Sequence, residues 1–464
     1  MFKLSHKDAS TVSATQEPGS DLKVSDKRVW KYLLDIGIVL AMSGLLMYAA
    51  WYQVFQPKTD VGSYQCYALL FWKGMHGIDA LPPEQCAFLE DYSPNAIIES
   101  MKSPGILTGL INLAESQVTS GPFHFLPYEY PLLAIVPFSL GLIVPSALYQ
   151  VAFAIWMLVV AAIIYFVIKK TRDSSAGTAF AFYLVLCGCT LVAARFDLIP
   201  AGLTLGAVIL AGRARWKWAF SLLALATLCK IYPIVLAAPF LIAQQMQSSD
   251  KWYSWRRWSA LGVYVGTCAA VTLVSLGLNI ANTLSPFIYF FGRPIQIESS
   301  QATLLWLGSF LGYPLQFVHT FGSTNVISPL SQSVSLLSSM CLGGGLLFTF
   351  WLQWRGKLDV YTASLLTVLI IMITGKVFSP QYLIWVVPLL AFVGKVNLKW
   401  LITWGIVGLL TIWIWPNIYH SAPPLQVPLL PEFYPVVLVR NSIIVGFIIV
   451  LLYQATRKSF VLTW

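Results

Sequence analysis

Twelve apolar stretches recur along the 464 residues, and no other feature constrains the fold as strongly. The first is Leu33–Val54; the others lie at about 146–168, 176–194, 198–212, 217–229, 232–245, 258–278, 335–354, 359–375, 381–394, 399–415 and 435–453. A helix of about 20 apolar residues crosses the ~30 Å hydrocarbon core of a bilayer. In lipid such runs must satisfy their own backbone, which a helix does. Hydrophobic residues make up 57% of the chain, charged ones only 10%, and the mean hydropathy is +0.72. A soluble domain carries about a quarter charged residues. These figures exclude an ordinary cytosolic enzyme, a nucleic-acid-binding domain and a disordered chain. The fold class expected is an all-α polytopic membrane protein of about 12 transmembrane helices.

The cations then orient it. Residues 1–29 are polar and read as a disordered cytoplasmic tail, leaving 30–464 as one membrane-embedded domain. The first apolar run follows Lys27, Arg28 and Lys31 and is too extended for a cleaved signal peptide, so an uncleaved signal-anchor is expected. With both ends inside, 21 of the 29 Lys and Arg fall in cytoplasmic segments, as positive-inside orientation requires. The eight left outside are Lys58, Lys73, Lys102, Arg195, Lys230, Arg293, Lys376 and Arg440. The net charge of +10 is therefore mostly topological and does not indicate a nucleic-acid partner. Residues 217–245 read as a short hairpin broken at Pro233, and Pro131–Val144 as a half-buried helix on the outer face.

The long loops, 56–145, 279–334 and 416–434, then lie outside, and any chemistry lies with them. The first is acidic, with Asp60, Asp79, Glu84, Glu90, Asp91, Glu99, Glu115 and Glu129; its stretches 62–75 and 94–114 have mixed faces suited to the bilayer surface. Cys66 and Cys86 share this loop and are either a disulfide or two free thiols. The other five cysteines lie in apolar spans as small buried side chains, and the five histidines are too scattered for a metal site.

Ionisable groups at the membrane edge are costly and hence functional suspects. Five places share the outer side: Asp60; Tyr128-Glu129-Tyr130-Pro131; Arg195-Phe196-Asp197; Lys230-Ile231-Tyr232-Pro233; and Lys376 through Tyr382. Singly, each has an ordinary explanation. Asp60 can end a helix near water, Arg195 can pair with Asp197, Lys230 can snorkel, and the tyrosines fit an aromatic belt. Together, three cations make a phosphate clamp and a carboxylate supplies a base.

Four stretches carry a family likeness: Asp60 through Gly74; Phe125-Leu126-Pro127-Tyr128-Glu129-Tyr130-Pro131-Leu132; Phe196-Asp197 through Lys230-Ile231-Tyr232-Pro233; and Lys376-Val377-Phe378-Ser379-Pro380-Gln381-Tyr382-Leu383-Ile384-Trp385. In this order the chain resembles the polyprenyl-phosphate-mannose-dependent mannosyltransferases, of alpha-1,2-mannosyltransferase type, membrane glycosyltransferases of the GT-C fold class. It departs from them at Leu132, where a second proline is common, and at Arg195, where many members carry a neutral polar residue. The resemblance implies that Asp60 is the general base, deprotonating an acceptor hydroxyl that attacks the anomeric carbon of a polyprenyl-phosphate sugar with inversion. Lys230, Lys376 and Arg195 are then the candidates to meet the departing phosphate, and Glu129, Tyr130, Asp197, Tyr232, Gln381 and Tyr382 to bind substrate. No cofactor or metal is expected. The partners expected are the lipid-linked donor, a lipid or glycan acceptor and membrane lipids. The place expected is the bacterial inner membrane, with the active site on the periplasmic face and a role in cell-envelope glycan or glycolipid synthesis.

Two other classes compete. A secondary transporter or lipid-linked saccharide flippase places its ionisable groups near the midplane in broken helices, whereas here they cluster at one edge. A ligase or polymerase using diphosphate-linked oligosaccharides relies on a large late outer loop, whereas the largest here is the first.

Overall fold

The structure is a computed structural model that describes residues 20–89, 98, 108–120 and 124–457. Its helices begin where the sequence places side-chain acceptors. Thr59, Asp173, Asn279, Ser299, Asp359 and Asn397 each accept from a backbone N–H of the helix that follows, the usual way to satisfy first-turn donors.

The first half of the chain forms α1 (Ser20–Val54), α2 (Asp60–Lys73), α3 (Thr108–Ser120), α4 (Leu132–Ile143), α5 (Tyr149–Thr171), α6 (Ser174–Gly188), α7 (Leu198–Gly212) and α8 (Trp216–Cys229). The second half forms α9 (Ala237–Gln247), α10 (Trp255–Leu278), α11 (Ile280–Gly292), α12 (Ser300–Ser309), α13 (Ser331–Trp354), α14 (Val360–Thr374), α15 (Tyr382–Gly394), α16 (Leu398–Ile412) and α17 (Phe433–Arg457). The helical reading holds in the main, but the fold is not purely α. Strands β1 (Ile295–Gln296), β2 (Gln316–Thr320) and β3 (Ser323–Ile327) form an antiparallel sheet in the order β1-β3-β2, built on the Phe321-Gly322 turn where both residues have positive φ. The β2–β3 hairpin covers 316–327 of the loop 279–334, where turn and β-branched residues carry no helical period.

Among the described residues, six helices are long and apolar enough to cross a membrane: Val29–Val54, Ser146–Thr171, Trp255–Leu278, Ser331–Trp354, Leu398–Ile418 and Phe433–Arg457. Others, such as α6, α7, α8, α14 and α15, hold 13 to 15 residues, about 20 Å at 1.5 Å per residue. They are the buried ones. Ten of the thirteen residues of α15 are buried, whereas the long α10 and α13 expose most of their apolar surface. Helices buried to this degree leave contact with lipid mainly to the long ones.

The expected tail lies mostly outside the described residues; α1 begins at Ser20, within it. The proposed surface position of 62–75 gives way. Tyr64, Cys66, Tyr67, Ala68, Leu69 and Leu70 of α2 are all buried in protein, with Tyr64, Tyr67 and Ala68 in one cluster with Tyr128, Phe138 and Phe153. Most of the stretch 94–114 lies outside the described residues. Cys66 and Cys86 are joined by a disulfide.

Charged contacts sort to two ends of the bundle. At one end Asp173, capping α6, pairs with Lys395 just past α15 at 2.5 Å, and Asp35 of α1 pairs with Lys169 of α5. At the other end meet the start of α2, the α6–α7 loop, the first turn of α15 and the residue after α8.

Candidate active site

Asp60 is the first residue of α2. Thr59 caps the helix, accepting from Gly62 N at 3.1 Å, and its hydroxyl donates to Gln150 Oε1 at 3.0 Å. A carboxylate is favoured at this helix end by the exposed N–H groups. Gly62 makes the turn possible, since its α-carbon stands so close to Pro57 that an added Cβ would lie 2.4 Å from the Pro57 carbonyl oxygen. Gln85 then bonds Gly62 O at 3.1 Å and Gln65 Oε1 at 2.9 Å, one residue from the disulfide. Disulfide, cap and glutamine bridge fix the start of α2.

Arg195 pairs with Asp60, Nη2 to Oδ2 at 2.6 Å, with 17% of the arginine side chain exposed against 43% of the aspartate. Burial works against the arginine's charge, yet Asp60 and the neighbouring Tyr64, Tyr130 and Asp197 outweigh it and raise its pKa. Asp60 thus keeps an open side while one oxygen is held.

Arg195 and Asp197 do not pair with each other, so the ordinary explanation for them fails. Asp197 is fully buried and its Oδ1 accepts from Lys230 Nζ at 2.5 Å and from Trp385 Nε1. Lys230 follows the last residue of α8 and sits among rings, 5.1 Å from the centroid of Phe196, 5.2 Å from Trp385 and 5.5 Å from Tyr130. Burial lowers its pKa and Asp197 opposes that fall. Lys230 is therefore anchored inside the protein and does not snorkel. Trp385 stacks on Tyr232 at 4.2 Å and on Tyr382 at 3.9 Å. These contacts draw Lys230, Tyr130, Asp197, Tyr232 and Tyr382 together.

Glu129 is half-buried in the segment 124–130, which has no regular structure. Helix α11 supplies what a neighbouring strand would. Asn279 donates to His124 O at 3.0 Å, Asn282 to Leu126 O at 2.7 Å and Ser285 to Tyr128 O at 2.9 Å. The Tyr128 hydroxyl donates to Glu129 Oε1 at 2.5 Å. Burial raises the pKa of Glu129 and the negative Asp60 adds to the rise, against Tyr128, Arg293 and Arg195. Beneath the site lies an aromatic cluster in which Tyr64 stacks on Phe138 at 4.2 Å and meets Phe196 edge-on at 5.5 Å. Such ring pairs add about 0.5–1.5 kcal/mol each beyond their buried area.

Lys376 stands apart from this group. It is exposed, and its Nζ reaches the Phe291 carbonyl at 3.4 Å. Gln381 has its Oε1 buried without a partner. Two functional candidates escape sequence reasoning. Arg293, at the end of α11, acts electrostatically on Glu129 and Tyr382; its only sequence signal is that it is one of the eight cations left outside. Trp385 holds Asp197 from within an apolar helix, where an indole reads as core. Behind the Lys376 loop, Arg440 and Glu298 form a fully buried pair at 2.8 Å, with Tyr419 and Asn441 completing its hydrogen bonds and Phe378 stacked 4.2 Å from the guanidinium. Among the described residues no cluster of His, Cys, Asp and Glu fit to hold a metal occurs.

The arrangement can hold a carboxylate beside bound cations at the mouth of a helical bundle, as group transfer to an acceptor hydroxyl requires. A search among curated proteins finds no match. Residues 128–380, more than half of the chain, match glycosyltransferase family 87, and the matched stretch runs from Tyr128 beside Glu129 to Pro380 in the Lys376 loop. The chain belongs to glycosyltransferase family 87, and its activity is glycosyl transfer.

Proposed function

We propose that the chain is an inverting glycosyltransferase that moves a sugar, mannose by preference, from a polyprenyl-phosphate donor to a lipid-linked or glycan acceptor. Asp60 takes the acceptor hydroxyl proton as that oxygen attacks the anomeric carbon. The bond from that carbon to the phosphate oxygen breaks with its electron pair, and polyprenyl phosphate leaves. Arg195, Lys230 and Lys376 are the cations placed to offset the growing charge, and Glu129, Tyr130, Asp197, Tyr232, Gln381 and Tyr382 bind or frame the substrates. The observation that carries this reading is Asp60 paired with Arg195 on a half-exposed helix start in a family 87 chain. A lipid-borne donor also suits a protein whose site lies at the end of an apolar helical bundle.

In this reading the short buried helices also traverse the bilayer among the long ones, giving about twelve crossings of GT-C type. Residues 1–29 form a cytoplasmic tail and 30–464 one catalytic domain. The site faces the periplasm of a bacterial inner membrane, where the Cys66–Cys86 disulfide, next to the Asp60 helix, is chemically at home. Incubating the purified protein with polyprenyl-phosphate mannose and membrane glycolipid extract tests the donor. Mannosylated product with release of polyprenyl phosphate is expected; transfer only from a nucleotide sugar overturns the reading.

A further inference from the structure

Two cations at the site end carry no carboxylate. Arg195 is matched with Asp60 and Lys230 with Asp197, whereas among the described residues no carboxylate pairs with Arg293 or Lys376. Arg293 gives Nη2 to Ser323 Oγ at 2.6 Å and Nη1 to Tyr289 Oη at 3.4 Å, and its Nε is buried without a partner. Lys376 Nζ meets the Phe291 carbonyl at 3.4 Å. Both cations flank one stretch, since Gln296 N donates to Lys376 O at 2.9 Å. Helix α11 leads into it. Its polar side is committed to the 124–128 carbonyls through Asn279 (its cap), Asn282 and Ser285, while Phe287, Phe290 and Phe291 are 52%, 68% and 71% exposed. An amphipathic helix of this kind lies at the bilayer surface with its apolar face toward acyl chains.

We propose that Arg293 and Lys376 seat the phosphate of the polyprenyl-phosphate donor, with the exposed Phe287–Phe291 face of α11 against its isoprenoid chain. This rests on the lipid-phosphate reading above and narrows its cation set. An anion brought to Arg195 or Lys230 has to share each with an aspartate, whereas among the described residues Arg293 and Lys376 have no directly paired carboxylate, Glu129 acting on Arg293 without an ion pair. The donor is a phosphodiester with one negative charge. Its leaving group is a monoester of nearly two, so two free cations serve the product-like transition state better than the ground state. Arg195 and Lys230 are left to hold Asp60 and Asp197.

The test uses the full chain in zwitterionic nanodiscs and measures binding of farnesyl phosphate. Lys376→Gln and Arg293→Gln are each expected to weaken it about ten- to a hundredfold, the range for one charge-assisted contact. Arg293→Lys should recover much of the loss, and Arg256→Gln, exposed at the other end of the bundle, should bind as wild type. Inorganic phosphate should compete only weakly, because the chain contributes. Unchanged binding in both glutamine variants, or no binding by wild type, overturns the proposal, and so does equal competition by phosphatidylglycerol, which would mark a general anionic-lipid seat. Should wild type bind farnesyl phosphate as expected yet transfer no sugar from polyprenyl-phosphate mannose, the seat stands and the donor reading fails.

Discussion

Gly62→Ala sets the placement of Asp60 against the strength of its helix. Helix propensity alone favours the change, since alanine is about 1 kcal/mol better than glycine inside a helix. The local geometry opposes it. A Cβ at residue 62 would stand 2.4 Å from Pro57 O and 3.3 Å from Gln85 Cγ, where ordinary contact begins near 3.4 Å. The carbonyl is backbone and cannot rotate aside, so the start of α2 must shift by about 1 Å, the gap between contact and clash. That shift falls on the Thr59 cap at 3.1 Å, the Gln85 bond to Gly62 O at 3.1 Å and the Asp60–Arg195 pair at 2.6 Å. A misplacement of about 1 Å costs a catalytic group about a hundredfold in rate. The assay is the initial rate of sugar transfer from polyprenyl-phosphate mannose by purified variant, with thermal unfolding recorded beside it. A rate reduced about a hundredfold, with the fold retained, is expected. A variant that transfers at the wild-type rate refutes the idea that this turn sets the position of Asp60.

Asp197→Asn leaves Lys230 charged among three rings without its partner, and removing one member of a buried pair costs about 3–5 kcal/mol; thermal unfolding in detergent should show a marked loss, and an unchanged midpoint would mean that the pair contributes little. Because the folded state raises the pKa of Glu129, what protonated Glu129 contributes to stability is whole below its unfolded value near 4.5 and is lost as the pH rises through the folded value. Unfolding midpoints measured upward from that pH should therefore decline more in wild type than in Glu129→Gln, and parallel profiles would sink the assignment. Cys66→Ser opens a link across 20 residues, worth about 3 kcal/mol by loop-closure entropy, and should lower both the unfolding midpoint and the transfer rate; equal values for mutant and wild type would remove the disulfide from the support of α2.

Legibility followed periodicity and charge. Apolar runs located α7 and α8 to within a residue or two, because a buried helix leaves a continuous hydrophobic stretch. The rule that charge avoids lipid placed Asp60, Arg195, Asp197, Lys230 and Lys376 at one end. Pairing was not legible. Arg195 and Asp197 are two residues apart and look like partners, yet they pair instead with Asp60 and Lys230, 135 and 33 residues distant. The burial of helix α2 is not legible, because its mixed composition suits a bilayer surface as well as a buried site wall. The small sheet and the Arg293 position depend on how the loop after α11 packs, which spacing along the chain does not carry.

Asp60→Asn tests the proposed chemistry most directly. The amide keeps the size and the helix start but cannot accept the hydroxyl proton as a base, and loss of general base catalysis costs about 10²–10⁴-fold. With polyprenyl-phosphate mannose as donor, kcat is expected to fall by that factor while farnesyl phosphate still binds. Transfer by Asp60→Asn at the wild-type rate would contradict the assignment of Asp60 as the base.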